Sequence, residues 1–91
     1  MLFECTAAKS AKNLRERGLP FDAAMAMFER PTLEATDARR EYGEPRIRAI
    51  GVAKDTVLVC VYVDRGAVRR IISLRAANRK ERHAYRAAYP G

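Results

Sequence analysis

Two cysteines and a single histidine are all that this chain of 91 residues offers a metal or a disulfide. Cys5 and Cys60 lie far apart, which excludes the paired framework of small secreted domains and the clustered ligands of a zinc site. With His83 as the lone imidazole, a zinc nuclease is excluded too. No apolar run approaches the roughly 18 residues of a membrane span, and the N-terminus lacks a basic lead followed by an apolar core. Neither a span nor a signal peptide is expected, and the expected setting is cytoplasmic. Heptads, repeats, low-complexity tracts and linkers are absent, and nothing resembles a helix built to read a DNA major groove. What remains is one domain, residues 1–91, with an ordinary globular balance of 48% apolar and 32% charged residues.

The net charge of +7 is unevenly placed. Between residues 64 and 91, seven arginines and Lys80 face only Asp64 and Glu81, so all but one of the excess charges fall there. Guanidinium groups match phosphate geometry, and a cationic surface speeds encounter with a polyanion, so nucleic acid is the first expected partner and an acidic protein the second.

Taken in order, Leu2 to Cys5 reads as a short strand. Thr6 caps a helix through Ala7, Ala8, Ala11 and Leu14 toward Arg17, which Gly18 and Pro20 end. A second helix from about Phe21 to Glu29 spaces Phe21, Ala24, Met25 and Phe28 for one buried stripe, stopped by Pro31. Thr32 to Asp37 reads ambiguously as a weak strand, and Ala38 to Pro45 as a mobile polar loop. Three strands follow, Arg46 to Ala53, Thr56 to Asp64 and Val68 to Leu74, joined by short turns as an antiparallel meander whose middle member is covered on both faces. In the last strand, simple alternation puts Val68, Arg70, Ile72 and Leu74 on one side and Arg69, Ile71, Ser73 and Arg75 on the other. Asn78 and Glu81 make a capping box for a basic closing helix. The expected architecture is α+β, in the order β-α-α-β-β-β-α. It has a single antiparallel sheet, two N-terminal helices packed on one face, and a C-terminal helix.

These residues carry a family resemblance. FECTAAKSAKNLRERG, with Phe3, Glu4, Lys9, Asn13 and Gly18, is followed by Phe21 and Ala24. Then come Glu44, Arg46, Ile50 and Gly51, and IISLRAANRKERHAY with Arg75, Ala77, Arg79, Glu81, Arg82 and Tyr85. In that order and spacing they resemble the BrnT family, small ribonuclease toxins of bacterial type II toxin–antitoxin systems. The chain departs from the family pattern at Cys5 and Thr6, where Trp and Asp are usual. It departs again at Glu16 and Arg17, where Lys-His is usual, so no histidine base carries over. The resemblance implies a RelE-like fold and cleavage of RNA with no metal cofactor. It also implies neutralisation by a cognate antitoxin, a small DNA binder of the ribbon-helix-helix type, in a complex of two toxins and two antitoxins that meets operator DNA only through the antitoxin.

The chemistry such cleavage needs can be set against the residues. Attack by a 2′-hydroxyl, a nucleophile that only RNA carries, requires a base, cations for the charge developing on phosphorus, and an acid for the departing 5′-oxygen. Arg46, Arg48 and Arg75, on strand segments that can present one face, are the first choices for the cations. Glu44, Glu81 and Tyr85 belong to the menu of proton-transfer groups, although Glu81 reads equally as a helix cap and Tyr85 as a packing residue. Arg65, Arg70, Arg79 and Arg82 are the candidate RNA contacts. Arg70 alternatively sits at the sheet edge or pairs with Asp37 or Glu34, and the helix arginines alternatively form a solvated face. His83 lies in an exposed run and is not expected to take part. The other reading of the charge is a non-catalytic nucleic-acid-binding or antitoxin-docking module.

Overall fold

A computed structural model describes residues 2–37 and 44–90. Its elements are β1 (Leu2–Glu4), α1 (Ala7–Arg17), α2 (Asp22–Met27), β2 (Leu33–Thr36), β3 (Ile47–Ala53), β4 (Thr56–Arg65), β5 (Val68–Ala76) and α3 (Arg79–Ala88). The fold is α+β, but its five-stranded sheet, in the order β1-β5-β4-β3-β2, is mixed rather than purely antiparallel. The meander β3-β4-β5 and the β2-β3 pair are antiparallel, whereas β1 runs parallel to β5, with Leu2 opposite Val68 and Glu4 opposite Arg70. A strand followed by a hairpin turn must reverse; β1 is followed by a helix and so is free of that constraint. The weak strand signal after Pro31 is realised as β2, which makes five strands where the sequence order counted four. Most of the polar loop expected at 38–45 lies outside the described residues.

Side chains alternate across β4 and sort the core into two layers. Leu58, Cys60 and Tyr62 meet α2 through Phe21, Ala24 and Met27, joined by Ala49, Ala53, Ile71 and Leu74. Val57 and Val59 face the other way and, with Ile50, Val52 and Ala77, pack against Tyr85 of α3. The two early helices and α3 therefore lie on opposite faces. Helix α2 comes very close to the sheet at Gly51, where an added Cβ would stand 2.9 Å from the Met27 Cε and 3.1 Å from the Thr32 Cγ2.

Helix α1 is secured by polar groups more than by its apolar ones. Leu14 is exposed, while the buried Asn13 donates to the Leu19 carbonyl at 2.7 Å and Ser10 accepts from the Phe21 amide. Gly18 ends the helix in the left-handed region at φ 70°, and Thr6 caps its start by accepting from the Lys9 amide.

Strand β5 does not alternate evenly. Ser73 lies opposite Val61 but Ile71 lies opposite Tyr62, so Ile72 is an extra residue, a bulge. The bulge reverses the parity of everything before it. Arg69 and Ile71 join Leu74 on the α1/α2 side, and Arg70 joins Ser73 and Arg75 on the α3 side, which corrects the assignment made by simple alternation. Arg69 is held in its new place. Its guanidinium stacks 3.9 Å from the Tyr62 ring centroid and 4.7 Å from that of Phe28, and it grips Asp64 through two bonds of 2.8 and 3.0 Å.

Candidate nucleic-acid interface

On the face that α3 crosses, the strands present a field of arginines. Arg48 pairs in register with Val61, Arg75 with Val59, Arg70 with Val63, and Arg65 ends the same row of β4. Because alternate residues share a face, all four side chains leave the sheet on one side, separated by the valines of β4. Arg46 stands just before β3, half-buried.

Two carboxylates organise this field. Glu81 accepts two hydrogen bonds from Arg75, at 2.7 and 2.8 Å, while one of its oxygens also takes the Asn78 amide at 2.9 Å and closes the capping box. The Arg75 guanidinium and the Asn78 amide, aided by the charge of Arg48, outweigh partial burial and hold the Glu81 carboxyl down at about 2. Cap and charge partner are thus one role, and Glu81 ties the start of α3 to the arginine face. A cleft of about 360 Å³ opens beside it, lined by Leu33, Ala35, Arg48, Ile50, Lys80 and Glu81 among others. Asn78 and Lys80 at this cleft went unremarked in the sequence except as parts of the cap and the basic run.

The second carboxylate is Glu44, partly exposed and bonded to Arg65 at 2.5 and 3.1 Å. Its carboxyl is held below the usual range, first by the Arg65 hydrogen bond and further by the charges of Arg65, Arg70 and Arg46. Arg70 lies 3.7 Å from Glu4 of β1, a loose pairing. Glu34 accepts from the Tyr62 hydroxyl at 2.8 Å.

Three of the expected site residues stand elsewhere. Tyr85 is 3% exposed, and its hydroxyl donates to the Pro31 carbonyl at 2.8 Å, the position of a packing residue that anchors α3. Arg79 and Arg82 are on the opposite flank of α3 from Arg48, and both line a different groove. A helix buried along one stripe must present neighbouring charged positions to both of its sides, which separates Arg82 from Glu81, while Arg79 and Lys80 share a shallow patch with His83 between the two. Cys60 is buried, and desolvation pushes its thiol up to about 12, so it is a core residue. Among the described residues, no three His, Cys, Asp or Glu side chains cluster as metal ligands, and no helix is long and apolar enough to cross a membrane.

Fold and face together define a small basic α+β protein that gathers arginine on one side of a sheet and along the helix crossing it. Residues 6–81 match the family model described as ribonuclease toxin, BrnT, of type II toxin–antitoxin system, and the chain belongs to that family. A search of curated proteins finds no match. The matched span takes in Glu44, Arg46, Arg48, Arg65, Arg70, Arg75 and Arg79, while Arg82 and Tyr85 lie beyond it. Family membership makes the chain the ribonuclease toxin of a type II pair, with an antitoxin as its partner.

Proposed function

We propose that the chain cleaves RNA without a metal ion, holding the scissile phosphodiester on the sheet face between Arg48 and Arg75, with Arg46, Arg65 and Arg70 along the adjoining backbone. The single observation that carries this reading is that Arg48 and Arg75 come from two different strands and flank one carboxylate, Glu81. A guanidinium already clasped and aimed need not reorganise when charge develops on phosphorus, which is where such groups contribute most.

Glu44 stands at the Arg65 end of the row, where it holds the Arg65 guanidinium ready for the adjoining backbone, and the 2′-hydroxyl beside Arg48 and Arg75 loses its proton to water. The oxygen attacks the neighbouring phosphorus, a 2′,3′-cyclic phosphate forms, and the departing 5′-oxygen takes a proton from solvent. Tyr85 serves this site indirectly, by fixing α3 and with it Glu81. The fold is of the RelE type, the setting is cytoplasmic, and a ribbon-helix-helix antitoxin blocks the arginine face in a complex of two toxins and two antitoxins.

The test is cleavage of RNA by the purified chain in excess chelator. Arg48→Ala and Arg75→Ala should each lower kcat/KM on the order of 100-fold. Rates within about threefold of the parent for both variants would place the site elsewhere.

A further inference from the structure

The ion pairs of the sheet face leave a second, differently built cationic region. Among the described residues, Arg65, Arg69, Arg70 and Arg75 all have carboxylate partners, whereas no carboxylate pairs with Arg79, Arg82 or Arg86. These three, with His83, occur at the i, i+3, i+4 and i+7 spacing of one helix flank. They line a groove of about 690 Å³ between α3 and the β3–β4 turn. The groove's apolar lining is built of small side chains, Val57, Ala76, Ala77 and Ala87, and one guanidinium is braced, since Arg82 donates to the Ala77 carbonyl at 2.8 Å. Asp55 lines it as well, its one carboxylate.

Its position suggests what it holds. Arg79, at the first turn of α3, lines this groove, while its neighbours Asn78 and Lys80 line the cleft beside Arg48 and Glu81. Cationic surface is therefore continuous across the N-terminal turn of α3, where the helix dipole adds positive potential. From Arg79 to Arg86 the flank runs about 10 Å along the helix axis, long enough for more than one phosphate. We infer that the groove lined by Arg79, Arg82, His83 and Arg86 is a second RNA site, taking backbone phosphates of the same strand whose scissile bond lies on the sheet face, with a ribose or base against the small apolar lining. This rests on the reading that RNA is the substrate. An acidic segment of a protein partner would also suit the arginines, but the continuity with the sheet face and the shallow lining without a deep apolar anchor favour a polynucleotide.

The experiment measures affinity rather than cleavage. Fluorescence anisotropy is followed with 2′-O-methyl single strands, which cannot be cut, as a dodecamer and as a trinucleotide. Arg86→Gln should weaken dodecamer binding about threefold and make the slope of log affinity against log salt shallower by about 0.7, with the trinucleotide, too short to bridge both sites, much less affected. Because Arg82 braces the Ala77 carbonyl and its loss would also disturb the start of α3, the second variant is Asp55→Asn. Asp55 sits at φ 66°, a conformation asparagine accepts readily, and removing its charge should tighten dodecamer binding about twofold. Unchanged dodecamer affinity and salt slope in both variants would overturn the site. So would an effect of Arg86→Gln on binding of a polyglutamate peptide with none on RNA, which would assign the groove to an acidic protein. If the parent cuts no RNA yet the dodecamer effects appear, the groove stands and the ribonuclease reading of the sheet face fails.

Discussion

Glu81 shows how much one side chain can carry. It closes the cap of α3, clasps Arg75 and lies within the field of Arg48. Its folded carboxyl titrates at about 2 against an ordinary value of 4.5. A depressed folded value means that the stabilisation is fully present above about pH 4.5 and is lost as pH falls toward 2. Allowing for solvent screening on the Arg75 side, the contribution is on the order of 2 kcal/mol. Glu81→Gln should therefore cost about that much in urea unfolding at pH 7, with the gap to the parent closing near pH 2. A gap that persisted unchanged in acid would show that packing, not charge, is the source. The Asn78–Glu81 box was legible from spacing alone; that its carboxylate is also the partner of Arg75 was not, because that contact depends on where β5 delivers the guanidinium.

At the scale of the element, the bulge in β5 is the feature that the sequence hides. An apolar and charged alternation is read by counting in twos, and one extra residue at Ile72 silently reverses the count. The consequence is large: Arg70 is brought to the arginine face and Arg69 is taken into an aromatic cage with Phe28 and Tyr62. The strands of the meander, the order of the helices and the two-sided burial of β4 were all legible, since each rests on local periodicity and short turns. The parallel pairing of β1 was not, because no local signal specifies the direction of a strand whose partner is remote. Gly51 is a further constraint of this scale, admitting α2 against β3. Gly51→Ala should cost about 1 to 2 kcal/mol in thermal or urea unfolding, moderated because the nearest atom is the flexible end of Met27. A neutral result would mean that α2 shifts outward without loss.

For the whole molecule, the segregation of charge matters more than its total of +7. If Arg48, Arg65, Arg70 and Arg75 each meet one phosphate of a single strand, log affinity should fall against log salt with a slope of about −3. A titration between low and physiological salt that gave a slope near zero would rule out this face as the RNA surface. Composition alone indicated the polyanion. Which arginines share a face emerged only from the register of three strands.

The pairing of Leu2 with Val68 has a temporal meaning as well. During synthesis, β1 emerges from the ribosome long before the strand it joins, and the Tyr85 hydroxyl must find a carbonyl at Pro31 that was made far earlier. Such distant closures come late in folding. A nascent chain therefore cannot set Arg70 and Arg75 beside Arg48 until β5 has been made, and a polypeptide stopped after β4 should be harmless to the cell that makes it.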